Sequence, residues 1–64
     1  ITQNYSAALD SVTVITELMA LDTRDAEQTA TVARNVEHLE LMVTKDYWTT
    51  EDLAPLNAAI TAGS

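Results

Sequence analysis

The sequence has 64 residues, of which 47% are hydrophobic, and its ten acidic and three basic side chains give a formal net charge of −7. There is no Cys and only one His, which excludes disulfides, iron–sulfur clusters and thiolate zinc sites, and we expect no cofactor. The negative charge disfavours direct binding to nucleic acid or to an anionic membrane surface. We interpret 1–64 as a single small helical domain or a fragment of a larger chain, with marginal stability when alone.

The first predicted element is an amphipathic helix over about 5–21. Its apolar residues recur at alternating spacings of three and four, which is the period of a helix with one buried face. This first stripe consists of Tyr5, Ala8, Val12, Ile15 and Met19, with Leu9 alongside. The only Gly and the only Pro both fall within the last ten residues, so no strong breaker interrupts the helix.

A second apolar stripe runs along the same predicted helix. It consists of Ala7, Val14, Leu18 and Leu21 and lies well round the helix from the first stripe. Because one neighbouring helix cannot cover both stripes, two arrangements stay open. Either the second and third helices each cover one stripe, or the second stripe forms an intermolecular interface.

The second predicted helix spans about 23–45. Asp22 is its expected N-cap, because a carboxylate there accepts hydrogen bonds from the free backbone amides of the first turn, and Asp25 follows at the third helical position. Leu21 and Ala26 are placed like a weak hydrophobic staple, which predicts a tight connection and hence an antiparallel helical hairpin. The apolar stripe of this helix is Val32, Val36, Leu39 and Val43.

A short third helical element is predicted over about 50–62. Thr49 is its expected N-cap, with Asp52 at the third helical position completing a capping box. Trp48 and Leu53 stand where the two partners of a hydrophobic staple belong.

Pro55 is expected to interrupt this third element, because a proline ring beyond the first turn clashes with an earlier carbonyl. A final helix would then begin at Pro55 and end at Gly63, acting as a C′ glycine. The predicted fold class is therefore all-α, an antiparallel helical hairpin followed by a short, Pro-interrupted C-terminal helical element.

The sequence offers no residue set for catalysis or metal binding. His38 has no carboxylate, Cys or second His three or four residues away, so we interpret it as an exposed histidine on the outer face of the second helix. Helix starts and solubility explain the acidic residues. The serines considered as nucleophiles, Ser6, Ser11 and Ser64, lack a local base. We predict that the protein is not an enzyme and binds no metal.

The predicted function rests on apolar and aromatic residues that are suited to an interface with a partner. Tyr47 and Trp48 are adjacent aromatics at a helix junction, a placement suited to anchoring a partner, and Leu41 falls among charged residues on the polar side of the second helix. The predicted partner interface is Val14, Leu18, Leu21, Leu41, Tyr47 and Trp48. We predict a non-enzymatic protein–protein association module that binds a protein partner or self-associates through its first helix.

Two forms of this function are considered. The first is a small structural or accessory subunit of a larger assembly; the Ala- and Thr-rich composition without Cys is similar to that of accessory proteins of phage particles, which implies a virion or capsid component. The alternative is an acidic inhibitor or antitoxin-like protein that occupies a basic, nucleic-acid-binding groove. The sequence has no signal-peptide pattern or apolar run of about 18 residues, so a non-secreted protein, cytoplasmic or within a virion assembly, is expected.

Overall fold

The chain folds into a bundle of three α-helices. The structure is a computed structural model that describes the backbone of residues 2–64 and the side chains of residues 3–64. The helices are α1 (Thr2–Met19), α2 (Ala26–Met42) and α3 (Thr50–Gly63), and each packs against the other two. The described residues contain no strand. The predicted fold class, an all-α hairpin followed by a C-terminal helix, is confirmed.

The connection between α1 and α2 differs from the prediction, because α2 begins at Ala26 and its N-cap is Asp25 rather than Asp22. The carboxylate of Asp25 accepts from the amide of Gln28 at 2.7 Å, and the Gln28 side chain accepts from the amide of Asp25 at 2.9 Å. This later start leaves Arg24 outside the helix, where its Nη1 donates to the carbonyls of Leu18 and Leu21, each at 3.1 Å. Arg24 thus donates to carbonyls at the end of α1, of which that of Leu18 also accepts from the amide of Leu21.

The start of α3 matches the prediction. The hydroxyl of Thr49 accepts from the amide of Asp52 at 3.0 Å, and the Asp52 carboxylate accepts from the amide of Thr49 at 3.2 Å, which completes the capping box. Of the expected staple pair, Trp48 belongs to the buried hydrophobic core cluster, and Leu53 is half-buried and packs against that cluster.

The expected interruption at Pro55 does not occur, because α3 continues through this residue to Gly63. Pro55 lacks the amide that would bond to the carbonyl of Glu51, but Glu51 lies in the exposed first turn, where water can bond to that carbonyl instead. Leu56 and Ala59, just beyond the proline, are buried in the core and hold the helix in place. Packing therefore outweighs the local penalty of the proline.

Gly63 has a different role from the one predicted. It is the last residue of α3, and its backbone does not adopt the left-handed conformation of a C′ glycine. A Cβ added at this position would lie 2.5 Å from Cγ2 of Val36 and 3.2 Å from Cγ2 of Ile15. The absence of a side chain allows the end of α3 to approach both other helices closely.

The core runs along the bundle axis and is complete within one chain. Its buried apolar residues are Ala8, Ile15, Val32, Val36, Leu39, Trp48, Leu56 and Ala59. The accessible surface is 4301 Å², close to the roughly 4,000 Å² expected for a compact monomer of 7.0 kDa. Within residues 3–64, every buried side-chain nitrogen or oxygen has a hydrogen-bond partner. The buried polar side chains of the described residues are thus bonded within one chain.

Candidate interaction surface

The first apolar stripe of α1 faces the core. Ala8 and Ile15 are fully buried, while Tyr5, Val12 and Met19 are half-buried and pack against the core cluster. Leu9, alongside the stripe, is 37% exposed and marks its outer edge.

The second stripe of α1 lies at the edge of the bundle and is covered only in part. Leu18 packs against the core cluster and is half-buried, as is Val14. Ala7 is exposed, and Leu21, just beyond the end of α1, is 43% exposed. The second stripe therefore contributes to the monomer through Leu18 and leaves apolar surface at both of its ends.

A hydrogen bond between Ser11 and His38 shows which helix lies beside this stripe. The hydroxyl of Ser11, a residue only 5% exposed, lies 2.9 Å from Nδ1 of His38 on α2. Ser11 is on the same flank of α1 as Val14 and Leu18, three and seven residues later. Because the two helices are antiparallel, the flank of α2 that carries His38 runs beside the second stripe.

This geometry defines a continuous strip along one side of the hairpin, which we call the α1–α2 band. It is formed by Val14, Leu18 and Leu21 together with Thr31, Asn35, His38 and Met42 of α2, which share one flank of that helix. The α1 side of the band is apolar. Its α2 side combines the polar Thr31, Asn35 and His38 with the apolar Met42, and Arg34 donates to the hydroxyl of Thr31.

Leu41 is the most exposed large hydrophobic residue of the described chain, at 63%. On the helical wheel of α2 it points away from the buried residues Val36 and Leu39, and it lies beyond His38, which forms the outer edge of the α1–α2 band. The structure thus brings Val14, Leu18 and Leu21 together but leaves Leu41 by itself on the outer face of α2.

Tyr47 and Trp48 lie in the connection between α2 and α3, at the end of the bundle opposite Leu21. The Trp48 indole is buried, and its Nε1 donates to the carbonyl of Met42 at 2.7 Å. Its ring centroid is 5.7 Å from that of Tyr5 and 4.6 Å from that of Tyr47, whose hydroxyl accepts from Asn4 Nδ2 at 3.2 Å. These contacts join α1 to the α2–α3 connection, so both aromatics have a structural role; a role for them in binding stays a prediction.

The Ser11–His38 pair is the one arrangement in the described chain that resembles a nucleophile beside a base. A catalytic serine must reach its substrate, whereas Ser11 is buried between the two stripes of α1, under the contact with α2. The sequence signal for this pair was the placement of Ser11 between Ala8 and Ile15, since a polar group on a buried stripe needs a partner. Within the described residues, no group of three His, Cys, Asp or Glu side chains is arranged to hold a metal ion.

A cavity of about 300 Å³ opens where α1 ends and α2 begins. Its lining residues are Met19, Arg24, Thr29, Val32, Ala33 and Gly63. The only charged group there is Arg24, whose Nη1 already bonds to two carbonyls and whose sequence neighbours Asp22 and Asp25 are acidic. The cavity is small for a ligand site, and its cation has a structural role.

Comparison with known proteins adds no relative. No protein-family description, curated protein or solved structure matches the chain significantly. None of the described helices has both the length and the apolar character needed to cross a lipid bilayer.

Proposed function

We propose that this protein is a non-enzymatic association module that binds a protein partner through the α1–α2 band. The observation that carries the proposal is the second stripe of α1. Val14 and Leu18 are half-buried and Leu21 is 43% exposed, on a bundle whose core and buried polar groups are otherwise complete. An apolar strip that stays at the edge of a bundle with a complete core is typical of a docking surface.

The completeness of the bundle favours a foreign partner over self-association. The accessible surface of the single chain is close to that expected for a compact monomer, which supports a foreign partner. A small structural or accessory subunit of a larger assembly fits this anatomy, and the composition supports a virion component as one form of it. The absence of catalysis is part of the same proposal, since the buried Ser11 is the only serine placed beside an imidazole within the described side chains.

The alternative, an acidic inhibitor of a basic groove, is supported by the net charge of −7. Two of the ten acidic side chains, Asp25 and Asp52, already act in capping boxes. The two hypotheses differ in their response to salt. Binding that weakens steeply with ionic strength favours the inhibitor, whereas apolar docking on the band is less sensitive to it.

Position-specific photo-cross-linking in the source cell tests the proposed function. A photoreactive residue at Val14 or Leu21 is expected to give a discrete cross-linked protein product. The same residue at Ala58, on the exposed face of α3, is the matched control and is expected to give none. Equal products from all three positions, or none from any, would contradict docking on the band. Sedimentation of the product with assembled particles would support the virion form.

A further inference from the structure

The α1–α2 band also carries information about the kind of partner it fits. We propose that the partner contributes an amphipathic α-helix whose apolar stripe is flanked by Lys or Arg, and that these cations pair with Asp10 and Glu17 beside the band. This inference rests on the proposed function and deepens it.

The charges of α1 are the first argument. Asp10 and Glu17 are the only charged residues of this helix, and both are exposed. They stand four residues before and three residues after Val14, so both carboxylates lie along the outer edge of the band. No basic residue occurs three or four positions from either one. The edge of the band is therefore negative, without a neighbour on its own helix to neutralise it.

The arginines near the band lie at other parts of it, Arg24 at its Leu18–Leu21 end and Arg34 on its α2 side. Arg24 is bonded to the carbonyls of Leu18 and Leu21, and Arg34 donates to the hydroxyl of Thr31. Lys45 lies beyond the end of α2. When a partner packs on the apolar part of the band, its flanking side chains lie near Asp10 and Glu17. Lys or Arg at these flanking positions would therefore stabilise the complex through electrostatic complementarity.

The shape of the band favours a helix as the docking element. The band follows two antiparallel helices that are joined across their edge by Ser11 and His38, 2.9 Å apart. The side chains along two packed helices form ridges and grooves, against which a third helix can pack. Because Asp10 and Glu17 are seven residues apart, or two helical turns, cations spaced by seven residues on a partner helix match them.

Model peptides and the intact protein provide the test. The first peptide is a capped amphipathic helix with one apolar stripe and two Lys residues seven positions apart on its flank. The second has Glu at these two positions, and the third has the two Lys residues on the face opposite the stripe. Binding is followed by calorimetry and by the backbone amide shifts of the labelled protein. The first peptide is expected to bind most tightly and to shift Val14, Leu18 and Thr31.

Protein variants separate this inference from the proposed function. The double variant Asp10→Asn, Glu17→Gln should weaken binding of the first peptide by about fivefold. The control variant Glu40→Gln, Glu51→Gln removes the same charge from other exposed positions and should leave binding unchanged. Circular dichroism confirms that each variant folds.

The outcomes distinguish the two proposals. Equal binding of all three peptides, or equal weakening by the two double variants, overturns the basic-helix inference; the proposed function survives if cross-linking from Val14 and Leu21 still occurs. Loss of that cross-linking removes the proposed function whatever the peptides do. Shifts spread over α3 rather than the band also overturn the inference.

Discussion

The two apolar stripes of α1 show how one helix can serve two purposes. The first stripe is enclosed by the other helices, with Ala8 and Ile15 inaccessible to solvent. The second stripe has the same hydrophobic character but lies at an edge, where Leu18 reaches the core and Leu21 does not. Periodicity identifies both stripes equally well. The arrangement of the three helices determines which stripe is covered by its neighbours. A covered stripe contributes to stability, whereas an exposed stripe is available for binding.

The largest expected difference between the stripes comes from the adjacent residues Ile15 and Val14. Replacing the buried Ile15 by Ala should lower the free energy of unfolding by about 2–5 kcal/mol, because it removes packed atoms and leaves a cavity. The same truncation at the half-buried Val14 should cost about 1 kcal/mol or less. Urea denaturation followed by circular dichroism measures both. Equal losses would mean that the second stripe is as enclosed as the first.

Gly63→Ala tests the close approach of α3 to the enclosed stripe. Ala normally favours a helix over Gly by about 1 kcal/mol. Here its Cβ would meet Val36 at 2.5 Å and Ile15 at 3.2 Å, so we expect destabilisation by roughly 1–3 kcal/mol. Thermal unfolding gives the sign directly, and a stabilised variant would show that the end of α3 is not held against the other helices.

The hydrogen bond beneath the band should contribute less. Ser11→Ala removes one partner of His38, and since the imidazole is exposed and can turn to water, the expected loss of stability is about 1 kcal/mol. A double-mutant cycle with His38→Ala isolates the interaction. A coupling energy indistinguishable from zero would mean that His38 does not lie beside Ser11, and that the α2 residues of the band are not next to the second stripe of α1.

The smallest effect on stability is expected at the exposed leucines. Leu21→Ser and Leu41→Ser should each change the free energy of unfolding by less than about 0.5 kcal/mol. Their effects on binding should differ, because Leu21 belongs to the band and Leu41 is isolated on the outer face of α2. Cross-linking from position 14 should fall with Leu21→Ser and persist with Leu41→Ser; the opposite pattern would move the docking surface to α2.

Local sequence signals predicted the helices and one of the caps. Thr49 and Asp52 form the expected capping box because both halves of that motif lie within four residues. The cap of α2 was misplaced by three residues, since Asp22 and Asp25 both suit the local pattern. The actual start leaves Arg24 free to bond to the carbonyls at the end of α1, a contact that only the folded hairpin brings about.

The remaining differences also arise from contacts between helices. From local rules, Pro55 predicted a break in the helix and Gly63 a left-handed helix end. In the structure, packing against the core keeps α3 continuous through Pro55, and Gly63 allows the end of α3 to approach the other helices closely. The pairing of Ser11 with His38 depends on the register of α1 against α2. Of the predicted interface, the helical wheel placed Val14, Leu18 and Leu21 in a second apolar stripe but left open whether other helices cover it. The internal contacts of Trp48 did not follow from the sequence.

A single chain is expected to complete its own fold and to keep part of the second stripe of α1 at its surface. Light scattering across a dilution series, with helical content followed by circular dichroism at each concentration, measures whether it does. We expect a mass of 7.0 kDa and constant helicity at every dilution. A mass and a helical content that rise together with concentration would contradict it, because α1 would then require a second copy to complete the fold.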